Sequence, residues 1–282
     1  MNILTFDIEE WFHLLDFDAT RSENQWDSYE VRIYKNVDRI LDMLEETDSK
    51  ATFFVIGWIA KKYPELIRKI AEKYEVGSHT TNHQLVWQQS PSEFESDVES
   101  SVKLLEDIIG KKITSFRAPG FSIRESEKWA FESLHKLGIT KDSSVFPARH
   151  SHGGMPSMSN PEPCAIEYKG MVIKEFPISI RKIAGQNIVF SGGGYFRLFP
   201  YWMIKKWAKE TPNYLMSYIH PRDLDYGQPM LQGLPLSRKF KSYIGLKGAE
   251  AKLNKMMRDF SFIDLDMADR QIDWSTVYRL KL

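Results

Sequence analysis

The stretch "NILTFDIEEWFH", Asn2 to His13, sets a short apolar run against three acids, Asp7, Glu9 and Glu10, and then against Trp11, Phe12 and His13. A run of this kind bounded by polar groups reads as a buried strand with its acids at the C-terminal end. Carboxylates there cost free energy to desolvate unless a metal, a cationic side chain or a substrate proton meets them. Side chains alternate along a strand, so Asp7 and Glu9 share one side while Ile8 and Glu10 take the other.

Working outward, the same alternation of a short strand with a longer helical segment recurs. Val31 to Thr47 places Tyr34, Val37, Ile40, Leu41 and Leu44 at helical spacing. "ATFFVIG" leads into "PELIRKIAEKY", with Pro64 in the first turn. "EVGSH" precedes "SPSEFESDVESSVKLLEDIIG", which has Ser90 or Ser92 as cap and Gly110 as stop, and "SFRAP" precedes "SEKWAFESLHKLG". Further strands are expected in "GITKDSS", "MVIKEFPIS" and "NYLMSYIH", and the tail "AEAKLNKMMRDFSFIDL" reads as a helix and a strand. Pro147 to Ala165 is expected to be a long surface loop. Repeated βα units imply an α/β fold with a parallel sheet, and about seven strands suit a distorted (β/α) barrel formed by one domain over residues 1–282.

With 42% hydrophobic and 27% charged residues the chain reads as an ordinary globular protein. Lys plus Arg and Asp plus Glu are 38 each, so no global field favours a nucleic acid. The single cysteine, Cys164, fits a reducing compartment. No run has the length of a transmembrane span and no signal-like segment opens the sequence, so a cytoplasmic protein is expected.

In parallel β/α architectures the site forms at the C-terminal ends of the strands. Those ends carry Asp7 and Glu9, then His79 with His83 four residues on, then Arg117, Asp142 and His220. The two imidazoles of "HTTNH" can face one divalent ion, and Glu9 is the preferred third ligand, with Glu10 the other choice. Asp7 then lies free beside the metal as a general base for an attacking water, Arg117 holds it ionised, and His220 protonates the leaving amine. Trp11, Trp87, Phe121 and Tyr195 are candidates to stack on a ligand, against the plainer reading that most belong to the core. His150 and His152 read as solvated loop histidines.

"TFDIEEWFH", "GSHTTNH", "FRAPGFSI", "DSSVFP" and "YIHPRDLD" resemble, in order, the motifs of the polysaccharide deacetylases, the NodB-homology fold of carbohydrate esterase family 4. The variant resembled most is the branch linked to exopolysaccharide and surface-polysaccharide clusters, and the matches run from residue 5 to about 225. The resemblance implies a distorted β/α barrel, a zinc-like divalent metal and removal of acetyl from an N-acetylated sugar. It implies Asp7 as base, His79 and His83 as ligands, Arg117 as partner of the base, His220 as acid, and an amide at Gly120 or Phe121 as oxyanion donor. The sequence departs from the family where Ile8 follows Asp7, which leaves the carboxylate ligand to Glu9 or Glu10. The fourth motif is not recognisable, and Asp142 stands as a candidate for tuning His220 or touching substrate. The expected function is a metal-dependent N-deacetylase acting on an N-acetylhexosamine of a surface glycan or its precursor. The alternatives are a glycan-binding relative without turnover and a hydrolase of a small cyclic amide. Gly192 to Gly194 with Arg197 would suit a phosphate on that precursor.

Overall fold

Asn2–Ile8 (β1) is buried from Ile3 onward and lies next to one edge of a nine-stranded sheet. The computed structural model describes residues 1–282 except 16, 18, 19, 21, 22, 149–151, 184 and 212. The remaining strands are Thr52–Val55 (β2), Glu75–Ser78 (β3), Ser115–Phe116 (β4), Lys141–Asp142 (β5), Cys164–Tyr168 (β6), Met171–Glu175 (β7), Arg181–Ile183 (β8), Gln186–Ile188 (β9), Leu215–Ile219 (β10) and Tyr278–Lys281 (β11). The sheet order is β10-β1-β2-β3-β4-β5-β7-β6-β11, and β8 pairs only with β9. Every pair in the large sheet is parallel except β6 with β7.

The expected parallel α/β sheet is present, with nine strands in place of about seven and with β10 and β11 as edges among the described residues. Of the two further strands, β6 and β11, the first arises at "EYKGMV". Tyr168 pairs with Met171, and the two residues between them, Lys169 and Gly170, both have positive φ. That is a two-residue hairpin turn of the primed kind, which turns the chain back without a crossover helix. β6 therefore begins at Cys164, inside the segment expected to be loop up to Ala165.

Helices cover the outer face of the sheet. Ile33–Glu46 buries Ile33, Val37, Ile40, Leu41 and Leu44 against Leu4, Phe6, Ile8, Phe53 and Val55. Tyr34, expected on that stripe, is 37% exposed, and Ile33 takes its place. Pro91–Ile109 starts in a capping box, with Ser90 Oγ accepting from Glu93 N–H and Glu93 accepting from Ser90 N–H, and ends at Gly110 with φ +68°. The helix Ala130–Lys136 is shorter than expected, because a 3-10 turn over Glu125–Glu127 uses up its start. In the tail, Leu246–Asp259 is helical, and the expected strand is reduced to one bridge between Ile263 and Ile3 before the helix Leu265–Gln271.

The alternation along β1 decides where chemistry can sit. Leu4, Phe6 and Ile8 enter the outer core, whereas Ile3 joins Phe54, Phe121, Phe146, Phe176 and Met216 in a second apolar cluster on the inner face. Thr5 and Asp7 share the parity of Ile3 and so face this second cluster. There Arg117 is wholly buried.

Candidate active site

Glu9 follows β1, and its Oε1 lies 2.9 Å from His83 Nε2 and 3.2 Å from His79 Nε2. All three side chains are buried, and one ligand atom from each falls within a 4.8 Å cluster. His79 Nδ1 is 2.7 Å from the Arg117 carbonyl, which orients the ring so that Nε2 is the nitrogen turned toward the carboxylate. Two imidazole nitrogens converging on one carboxylate oxygen form a donor set that a divalent cation fits. Burial opposes the Glu9 charge, but His83, His220 and His79 outweigh it and hold the carboxyl well below its usual range.

The turn that aims the two histidines is strained: Thr80 and His83 both have positive φ. It is tied to the helix Pro91–Ile109 by Asp97, which accepts from the amides of Thr81 and Asn82 at 3.1 and 3.2 Å. Glu10 points the other way. Its Oε1 accepts from the Arg32 and Ile33 amides at 2.7 and 2.8 Å and so serves the first turn of the helix Ile33–Glu46. Of the two carboxylates left open by the sequence, Glu9 is the one beside the histidines.

Asp7 Oδ1 accepts from Arg117 Nη1 at 2.7 Å. The guanidinium also donates to Thr5 Oγ1, Ser143 O and Ser143 Oγ, and it lies over the Phe54 ring. With its donors fixed on every side, Arg117 holds one oxygen of Asp7 and leaves Oδ2 turned toward His220 Nε2, 3.8 Å away. His220 Nε2 is also 3.8 Å from Glu9 Oε1. Asp7, Glu9, His79, His83, Arg117 and His220 therefore gather at one place, as expected of strand ends.

His220 is held by Asp223, whose Oδ2 accepts from Nδ1 at 2.9 Å and from the His220 amide at 3.0 Å. Asp223 Oδ1 meets Arg197 Nε at 2.8 Å. Burial disfavours the imidazolium, but the carboxylates of Glu9, Asp223 and Asp7 outweigh it and raise His220 to about 9. Asp223 was not singled out in the sequence, although its spacing of three from His220 before a turn was a signal of this capping geometry.

Asp142 does not occupy that role. It is fully buried, accepts from Ser144 Oγ at 2.6 Å and from Ser144 N–H at 3.2 Å, and lies against Glu175. Burial, with the Asp142 charge beside it, pushes Glu175 well above the usual carboxylate range. Ser144 Oγ in turn accepts from the Ala118 amide, which makes the pair a support for the backbone beside Arg117. A short β5 places Asp142 at a strand end, but inside the sheet's core.

The residues after Arg117 form a 3-10 turn in which both Gly120 and Phe121 have positive φ. Phe121 N–H donates to Ala118 O at 2.9 Å and is thereby committed, which leaves the Gly120 amide as the candidate oxyanion donor. Phe121, Tyr195 and Tyr218 line a cavity of about 420 Å³ with Lys182, Gln186 and Asn187. One wall adjoins the site, since the Tyr218 ring lies 4.9 Å from Phe121 and 5.7 Å from His220 between ring centroids. Trp11 is 4% exposed, donates to Glu30 O and packs edge-on against Phe12 and Tyr29, so it belongs to the core. Trp87 is half-buried and donates to His152 O.

The glycine run does not form a phosphate cradle. A Cβ on Gly192 would stand 2.2 Å from the Tyr218 ring, so the glycine is required for that close packing. Arg197 is spent inward, on Asp223 and on the carbonyls of Lys241, Ser242 and Ile244. His150 lies outside the described residues.

Residues 15–140 match the family described as polysaccharide deacetylase, and residues 143–269 match a domain of unknown function (DUF3473). The first match holds His79, His83 and Arg117; Asp7 and Glu9 precede it, and His220 falls in the second. A peptidoglycan-N-acetylglucosamine deacetylase of Bacillus cereus is 32% identical over 96 residues, 33% of this chain and 35% of that protein. A chitooligosaccharide deacetylase of Azorhizobium caulinodans is 35% identical over 82 residues, 28% of this chain and 39% of that protein. The chain spans about a third of the length of these curated relatives. Among solved structures, a Mycobacterium smegmatis protein assigned to the polysaccharide deacetylases superposes with a TM-score of 0.67 at 15% identity, covering 99% of this chain and 92% of that one. A carbohydrate esterase family 4 pseudoenzyme of Bacillus anthracis gives 0.53 at 14% identity, covering 100% and 69%.

Proposed function

We propose that this chain, which carries a polysaccharide deacetylase domain over residues 15–140, is a metal-dependent N-deacetylase that removes acetyl from an N-acetylhexosamine of a surface glycan or its precursor. The observation that carries the reading is the convergence of a three-ligand cluster, Glu9, His79 and His83, with an arginine-held carboxylate and a carboxylate-held imidazole. A ligand set of two imidazoles and one carboxylate suits zinc, which would polarise the amide carbonyl and acidify water.

The chain's own residues divide the remaining work. Arg117 fixes Oδ1 of Asp7, so Oδ2 is the oxygen that takes the proton as water attacks the carbonyl. The Gly120 amide, in the turn beside Arg117, is the donor that would steady the developing oxyanion. His220, kept protonated by Asp223 and its neighbours, donates from Nε2 to the amine nitrogen as the C–N bond breaks. The products are acetate and a free amine. A binding protein has no use for a base and an acid held 3.8 Å apart on one face of a ligand cluster. Acetate release from N-acetylated sugars and oligosaccharides, with and without chelator, tests the proposal. Release that chelation abolishes and added zinc restores is expected; no release from any of them, with metal bound, would refute it.

A further inference from the structure

The proposed chemistry makes no use of the glycine run Gly192–Gly194, of the hairpin formed by β8 and β9, or of the cavity of about 420 Å³ beside them. Apart from Phe121, every residue that lines this cavity falls within 143–269, outside the polysaccharide deacetylase match. The second region therefore builds a space next to a site whose proposed ligands and base lie before it.

The cavity is placed by β10. Met216, Tyr218 and His220 stand at alternate positions on the inner side of this strand, so Tyr218 is roughly 7 Å along the chain from the proposed acid. The glycine run presses against the Tyr218 ring: Gly192 bridges to Tyr218 through the backbone, and a Cβ at Gly192 or Gly193 would come within 2.2 or 2.9 Å of its side chain. The helix Gly193–Leu198 can thus start directly beside Tyr218, and its first turn brings Tyr195 to the cavity. Tyr195 is backed by Phe199, with ring planes 11° apart and centroids 6.0 Å apart, and is still 42% exposed. A ring covered on one face and open on the other is a platform on which the C–H face of a sugar can stack. The hairpin adds polar groups. Lys182 and Asn187 are cross-strand partners, and Asn187 donates to the Pro147 carbonyl at 2.8 Å, which ties the hairpin to the chain beside Ala148. Lys182 and Gln186 line the cavity with exposed side chains able to donate to ring hydroxyls.

We propose that this cavity is a subsite for the sugar next to the N-acetylhexosamine, with Tyr195 as its platform and Tyr218 as the wall it shares with the site. The placing of the reacting sugar rests on the deacetylase reading: its acetamido group meets Glu9, His79 and His83, with His220 at the nitrogen. The cavity begins one ring away, at Tyr218, and has the volume of a small-molecule site with apolar walls and a few polar groups. A glycan continues from the reacting sugar through its glycosidic oxygens, so a neighbouring ring is what such a space can take. Stacking reads the face of that ring more than its substituents, so hexoses of more than one kind fit the platform. The region 143–269 then supplies both the acid and the preference for a chain over a single sugar.

The test titrates the zinc-loaded Asp7→Asn chain by calorimetry with N-acetylglucosamine and with its β-1,4-linked trimer, so that binding is read without turnover. The trimer is expected to bind at least ~10-fold more tightly than the monomer. In the same background Tyr195→Ala is expected to lose most of that preference, and Tyr195→Trp, which restores a ring, to keep it. Gln186→Trp on the exposed hairpin narrows the cavity, leaves Tyr195 in place and is expected to lose the preference as well. Equal affinity for monomer and trimer overturns the inference, and so does a preference that survives in Tyr195→Ala or in Gln186→Trp. Trimer binding of this kind without acetate release by the wild type would refute the deacetylase reading and leave the subsite standing. Acetate release from monomer and trimer with equal kcat/KM would do the reverse.

Discussion

At the residue scale the acid side of the site depends on Asp223, which no strand-end argument reaches. Its carboxylate accepts from His220 Nδ1 and is itself held by Arg197, so the imidazole presents Nε2 toward Asp7 and Glu9. Asp223→Asn weakens that orientation without touching a metal ligand. A fall in kcat of ~10- to 100-fold with KM little changed is expected, because the interaction matters when the leaving amine is protonated. An unchanged kcat would remove Asp223 from the mechanism. The gathering of Asp7, Glu9, His79 and His83 was legible because alternation on a strand and an i, i+4 pair are local rules, and that of Arg117 and His220 because each stands at the end of an apolar strand-like run. Asp142 misled because a two-residue strand end looks the same in sequence whether it opens on a cleft or on the core. The Phe121 amide likewise could not be separated from that of Gly120 without knowing which one closes the turn.

At the scale of elements, the histidine turn is held by a helix. Asp97, near the middle of the first half of Pro91–Ile109, accepts two amides from residues 81 and 82, and burial pushes its carboxyl up to about 6 against those hydrogen bonds. A folded-state value above the unfolded value, about 3.9, means that the native state binds the proton more tightly, so the contribution of Asp97 to stability falls as pH rises from ~4 to ~6. Urea unfolding of the wild type and of Asp97→Asn across that range is expected to show the wild type losing stability relative to the variant as pH increases. A constant difference would show that Asp97 does not titrate there. The helix itself was legible from its cap at Ser90 and its stop at Gly110, both local signals. The hairpin of β6 and β7 was as local, at Lys169–Gly170, and was missed because the start of β6 falls at the end of the segment Pro147 to Ala165, expected to be loop.

For the whole molecule, one sheet runs through both family matches. β1, which precedes the first region, pairs with β2 inside it and with β10 from the second, and β5, in the gap between the two, pairs with β4 on one side and β7 on the other. The candidate site follows the sheet and not the boundary at residues 140–143, since Asp7 faces Arg117 from one region and His220 from the other. Strand-helix alternation made the parallel sheet legible. The number of strands was not, because β11 adds to the edge by pairing with β6 over more than a hundred residues of sequence, and no local pattern encodes a partner so distant.

The central claim is a metal-dependent site in which ligands and acid-base groups are separate side chains. Metal content and acetate release measured together on the same preparations of wild type, His79→Ala, His83→Ala, Glu9→Ala and Asp7→Asn test it most directly. The ligand variants should lose both metal and turnover, whereas Asp7→Asn should keep its metal and lose turnover by ~100-fold or more. Full metal content in His79→Ala and His83→Ala, or near-normal turnover in Asp7→Asn, would contradict it.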